Sequence, residues 1–243
     1  KYVMKQNINH KTLFIIILSI LSFVISIYQS KYYYDGHHWG LMLSNAIDFL
    51  DGKKPYEEIF IQYGILNTIF HAIFVKFGNS QVISLFYGIS LFYSLSIILL
   101  FKYVENKFDS NYGIFVILCL LLIHPFVNHP WHNYLGFFFL ILALNIYDTN
   151  SKNNTFFFGI CLSLIVLLYE KLLFIFLLFS LIFLFDSILR KKMKVYFFFL
   201  KGFLIPISIF FLFLFYNNLF DTWITYQKIS SLYLEETSYF KTI

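Results

Sequence analysis

The stretch Tyr34-Asp35-Gly36-His37-His38-Trp39-Gly40 sets a carboxylate beside two imidazoles. A carboxylate next to a hydroxyl can take its proton as that oxygen forms a bond, and cationic or donating groups can stabilise charge developing on a leaving group. Asp35 is therefore the candidate base, and His37 and His38 are candidates for holding an anionic group. Asp is also a favoured helix N-cap, a structural use compatible with the chemical one. The histidines could instead bind metal, with His124, His129 and His132 as further ligands. Adjacent helical residues point about 100° apart, and no tight spacing such as His-x-x-x-His is present. Histidines bonding to backbone and headgroups is thus the simpler reading; no metal ligand is assigned, and a divalent metal stays open as a cofactor.

Other polar residues join the candidate set. Glu57-Glu58 precedes a short apolar run and suits the N-terminus of its helix; Glu57 is also a candidate to touch substrate. Tyr63, within Gln62-Tyr63-Gly64, reads as a helix entry or as an interfacial tyrosine. Glu170-Lys171 stands at a turn between two apolar runs, where a charged pair either neutralises itself or lines a cavity. Trp39 and Trp131 read as interface anchors.

Composition says what must position these groups. Of 243 residues, 59% are hydrophobic and 23% aromatic, only 13% are charged, and the mean hydropathy is +0.72. Soluble domains carry about 25% charged residues, so the expected class is an all-α polytopic membrane protein. The net charge of +5 implies no nucleic-acid partner, because the basic residues lie at helix ends. Cys119 and Cys161 fall inside apolar runs and read as buried thiols. The first apolar run, 12–29, is long enough to span a bilayer, for which about 20 residues suffice. No small-residue cleavage site follows it, so it reads as a retained anchor. The chain begins at Lys1 and stops in a polar aromatic stretch, as a piece of a longer protein would.

The run at 65–77 is the short one, of a length suited to an interfacial helix. If it does not cross, ten of the 18 Lys and Arg residues gather on one face: Lys1, Lys5, Lys11, Lys102, Lys107, Lys152, Arg190, Lys191, Lys192 and Lys194. The positive-inside rule prefers this arrangement. It predicts a single transmembrane module over 1–243 with about seven spans, at 12–29, 82–103, 112–127, 134–147, 155–169, 172–189 and 195–216, and a cytoplasmic N-terminus. His37, His38, His71, His124, His129 and His132 then face outward with Asp35 and Glu170, and a further outer loop begins at Asn217.

Read this way, the chain resembles the GT-C superfamily of membrane glycosyltransferases, nearest the bacterial relatives of protein O-mannosyltransferases and aminoarabinose transferases. The resemblance is carried by Asp35-Gly-His-His-Trp-Gly, then Asp51-Gly52-Lys-Lys-Pro55-Tyr56-Glu57-Glu58, then Gln62-Tyr63-Gly64. It implies a GT-C-like helical module with juxtamembrane helices in the first outer loop. It also implies an inverting enzyme of the bacterial plasma membrane that moves a sugar from a polyprenyl-phosphate donor to a lipid, glycan or protein acceptor. Asp35 matches the family's base after the first span. His37, His38, Glu57, Tyr63, His132, Glu170 and Lys171 are the expected substrate-binding set. The chain departs from the family in its second outer loop, where histidines stand in place of a second carboxylate.

Two readings of other classes stand beside this one. A transporter or lipid flippase would show inverted repeats and interrupted helices near the midplane, and no repeat is visible. A non-catalytic assembly subunit would need no outward polar cluster.

Overall fold

The computed structural model describes residues 10–32, 34–79, 81–123, 129–147 and 151–236. Among these the chain is helical and forms no strand, only an isolated bridge between Pro55 and Ile59. The helices are α1 (His10–Tyr32), α2 (Gly36–Leu50), α3 (Ile65–Phe77), α4 (Val82–Lys107), α5 (Ser110–Ile123), α6 (Asn133–Ile146), α7 (Lys152–Leu168), α8 (Leu173–Leu189), α9 (Met193–Tyr216) and α10 (Phe220–Glu236). A 3-10 turn, Glu170–Leu172, joins α7 to α8. Four segments are long and apolar enough to cross a membrane: Leu13–Tyr32, Val82–Lys107, Glu170–Leu189 and Met193–Tyr216. Large apolar side chains such as Ile17, Leu178, Ile182 and Leu212 point outward from them, as expected where lipid replaces water around the bundle.

Side-chain pairings fix the helix directions. Ser26 Oγ donates to Ser90 Oγ at 2.6 Å and Ser19 Oγ lies 2.9 Å from Ser94 Oγ, so α1 and α4 are antiparallel. The Tyr93 hydroxyl reaches the Leu120 carbonyl, and Phe101 abuts Gly113, which sets α5 antiparallel to α4. α6 runs with α4, since Phe92 meets Tyr134 and Asn145 reaches the Leu99 carbonyl. α7 returns, α8 descends and α9 runs parallel to α7. The end of α4, the start of α7 and the α8–α9 turn therefore share one end of the bundle. Lys102, Lys107, Lys152 and the Arg190–Lys194 cluster all stand there, as the charge argument expected.

The opposite end carries α2, α3 and Asp35. Because α1 and α4 are neighbours in antiparallel order, both helices between them lie at that end. α3 packs along the first half of α4: Phe70 meets Phe92, and Phe74 lies over Gly88. Its 13 residues run about 20 Å at 1.5 Å per residue, short of the hydrocarbon thickness. Gly64 seats the start of α3 against the end of α7, where a Cβ would stand 2.2 Å from the Leu167 carbonyl oxygen. α2 opens on Asp35 and closes on Asp51-Gly52, with Gly52 at φ +86°, the left-handed stop that glycine adopts without penalty.

The core differs from expectation at two positions. Trp39 is buried against Phe86, 4.4 Å between ring centroids, and so is no interface anchor. His71 is fully buried in α3 and presents no surface to solvent. Beyond Asn217, where a loop was expected, the chain forms α10.

Candidate functional site

Three clusters of polar and aromatic side chains line the Asp35 end. The first is built on the α2 N-cap. Asp35 Oδ1 accepts the His37 backbone N–H at 3.0 Å, and Asp35 Oδ2 pairs closely with His38 Nδ1. The His38 bond, more than the His37 N–H, holds the Asp35 carboxyl below the usual carboxylate range. The His38 ring meets Trp131 edge to face at 5.2 Å, and Trp131 stacks on His129 at 4.6 Å. Burial, and then the nearby His38, lower the His129 imidazole, while Asp35 acts the other way. The α1–α2 junction is thereby joined to the segment before α6.

The second cluster centres on His132, whose ring lies parallel to Tyr169 at 4.5 Å and tilted to Tyr63 at 4.8 Å. Burial pushes the imidazole down to about 4, so it is neutral near pH 7. Burial, helped by Tyr169, pushes the Tyr63 phenol up to about 12. His132 Nδ1 and Trp131 Nε1 are buried without a hydrogen-bond partner among the described residues. The same is true of Tyr134 Oη, Asn67 Oδ1 and both ring nitrogens of His71, deeper in the same region. Such orphaned groups are costly unless water or a ligand meets them.

The third cluster is a hub. Glu170 is buried, and it takes hydrogen bonds from three neutral donors: the Tyr56 hydroxyl, Trp223 Nε1 at 2.7 Å and Gln227 Nε2 at 2.5 Å. It ties the 51–64 loop and α10 to the end of α7. Tyr56 pays a backbone cost to reach it, sitting at φ 67°, a conformation unfavourable for a bulky residue. Burial and the adjacent Glu170 hold the Tyr56 phenol well above its ordinary value, so it remains a donor.

The expected set thus divides. Asp35, His37, His38, His129 and Trp131 come together, and Tyr63 and His132 form the adjoining cluster. Glu170 is engaged by Tyr56 and α10 and is not turned toward Asp35. Lys171 stands in the same 3-10 turn, partly exposed. Glu57 stands apart, half-exposed and 3.5 Å from Lys54. Glu58 accepts from the Lys54 backbone N–H at 2.7 Å, and α3 has no side-chain cap, so neither glutamate serves that helix. His124 lies outside the described residues. Among the described residues no three His, Cys, Asp or Glu side chains are grouped to hold a metal ion. Sequence reasoning missed the α10 donors. Their signal is the i, i+4 spacing of Trp223 and Gln227, which puts both on one helical face.

A groove starts beside the second cluster. Its upper part, 390 Å³, is lined by His132, Asn133, Gly136, Leu140, Ile165 and Leu172. It shares Leu140, Ile165 and Leu172 with a lower, almost wholly apolar part of 480 Å³ between α6, α7 and α8. A Cβ on Gly136 would meet nothing within 4 Å, so the groove is open there. Comparison with known proteins gives no match: no family model, no curated protein and no solved structure is similar to the chain.

Proposed function

We infer that the chain is a membrane glycosyltransferase. It moves a sugar, with inversion, from a polyprenyl-phosphate donor to a lipid, glycan or protein acceptor of the cell envelope. The observation that carries the reading is the continuity of the groove with the polar end. The apolar groove along α6–α8 opens at His132, next in the chain to Trp131, whose ring meets His38, the partner of the Asp35 carboxylate. That order suits a ligand with a long hydrocarbon tail and a polar head. The prenyl chain lies between α6 and α8, burying apolar surface worth about 25 cal/mol per Å². The phosphate and sugar sit among His132, Tyr63, Lys171, His37 and His38. The acceptor hydroxyl approaches Asp35, on which its deprotonation depends. About seven helices span the bilayer of a bacterial plasma membrane. The cationic end is cytoplasmic and Asp35 faces outward, as the positive-inside rule directs.

A photoactivatable polyprenyl phosphate tests this reading. It should label α6 and α8 around Leu140 and Leu172, and Gly136→Trp, which fills the open groove, should abolish labelling at unchanged melting temperature. Labelling that ignores Gly136→Trp, or that maps to the outer faces of α1 and α9, counts against it.

A further inference from the structure

Which atom takes the acceptor's proton is a separate matter, and it rests on the transferase reading above. Both oxygens of Asp35 are already engaged, one by the His37 N–H and the other by His38 Nδ1. A ring nitrogen that bonds to a carboxylate carries its hydrogen, which fixes the tautomer and leaves the other nitrogen with its lone pair. No described residue bonds His38 Nε2. The ring is braced by Trp131 on one side and His37 on the other, both at 5.2 Å. It is also less exposed than the carboxylate, at 25% against 42%. We propose that His38 Nε2 is the proton acceptor of the transfer reaction and that Asp35 is its positioning residue.

The step balances as follows. The acceptor oxygen forms a bond to the anomeric carbon as the carbon–oxygen bond to the carrier phosphate breaks. The bonding pair leaves on the phosphate, and the hydroxyl proton passes to His38 Nε2. The resulting imidazolium is stabilised by the Asp35 carboxylate and later releases its proton to water. The titratable groups facing His38 are Asp35 and His37 on its own segment and His129 across Trp131.

The test compares wild type, H38A, H38Q and D35N in nanodiscs with a polyprenyl-phosphate sugar, alongside ¹⁵N-histidine spectra. H38A and H38Q should lose transfer by about 10²-fold or more, with the loss falling on kcat more than on donor KM. Imidazole should restore part of the H38A rate but none of that lost in D35N. The wild-type spectrum should show His38 protonated at Nδ1 and bare at Nε2, and D35N should lose that preference. If H38A and H38Q keep the wild-type rate and pH profile while D35N is inactive, Asp35 takes the proton itself and the proposal is overturned. If wild type transfers no sugar, the transferase reading fails, and the spectrum still decides the pair: an Nε2-protonated His38 contradicts it.

Discussion

Single residues at the Asp35 end carry more than one duty. Asp35 caps α2 and bonds His38 with the same carboxylate, so its loss would remove a helix start together with the proposed chemistry. Asp35→Asn keeps the cap, since Asn caps as well as Asp, and is the cleaner probe of chemistry. Glu170 is the residue on which the 51–64 loop and α10 depend. Glu170→Gln replaces one acceptor oxygen with an amide N–H₂ set among the Tyr56, Trp223 and Gln227 donors, and an unmet buried hydrogen-bonding group costs about 1–3 kcal/mol. The expected outcome is a lower melting temperature in detergent and faster proteolysis of α10, with Tyr56→Phe a milder version. His132 supplies a pH dependence. Its buried imidazole stays neutral down to about pH 4, while in the unfolded chain it protonates below about 6.5. The unfolded state binds more protons in that window, so stability falls as pH drops from about 6.5 to 4, by at most about 3 kcal/mol. Thermal unfolding of His132→Phe should show a flatter acid limb than wild type.

Close helix contacts act at the scale of elements. Gly202 of α9 would put a Cβ 1.9 Å from the Phe156 carbonyl oxygen, and Gly159 of α7 would put one 2.3 Å from the Phe199 carbonyl oxygen. Small residues of this kind let membrane helices approach without side chains between them. Gly202→Leu should separate α7 from α9 and cost about 1–3 kcal/mol, as overpacking generally does; a melting curve in detergent measures it. The serine ladder of α1 and α4 contributes less, about 0.6 kcal/mol per interhelical bond, so Ser26→Ala should be mild. Much of this level was legible in the chain. Apolar runs bounded by Gly, Pro and charge matched the helices, and 65–77 is the short helix α3 that its run predicted. α10 was not legible, because a polar aromatic stretch becomes a helix here only by docking Trp223 and Gln227 on Glu170. The depth of His71 and Trp39 was hidden for a similar reason: burial is decided by neighbours on α4 and α6, far away in sequence.

For the whole molecule, charge and direction agree. Helix directions inferred from side-chain pairings put Lys102, Lys107 and the Arg190–Lys194 cluster at the end opposite Asp35. Membrane-impermeant labelling of single cysteines should find 102–107 and 190–194 on one side and residue 35 on the other; a split between the two basic groups would break the topology. The division of the candidate site into a reactive cluster and the Glu170 hub was not readable from spacing. His38 and Trp131 are distant in the chain and meet because α6 starts at the end where α1 stops.

Transfer of sugar from a defined polyprenyl-phosphate donor by purified protein in nanodiscs, compared between wild type and Asp35→Asn, tests the central claim most directly. The account predicts measurable transfer by wild type and a loss of at least about 10²-fold in the variant at unchanged melting temperature. An Asp35→Asn protein that transfers sugar at the wild-type rate would contradict it.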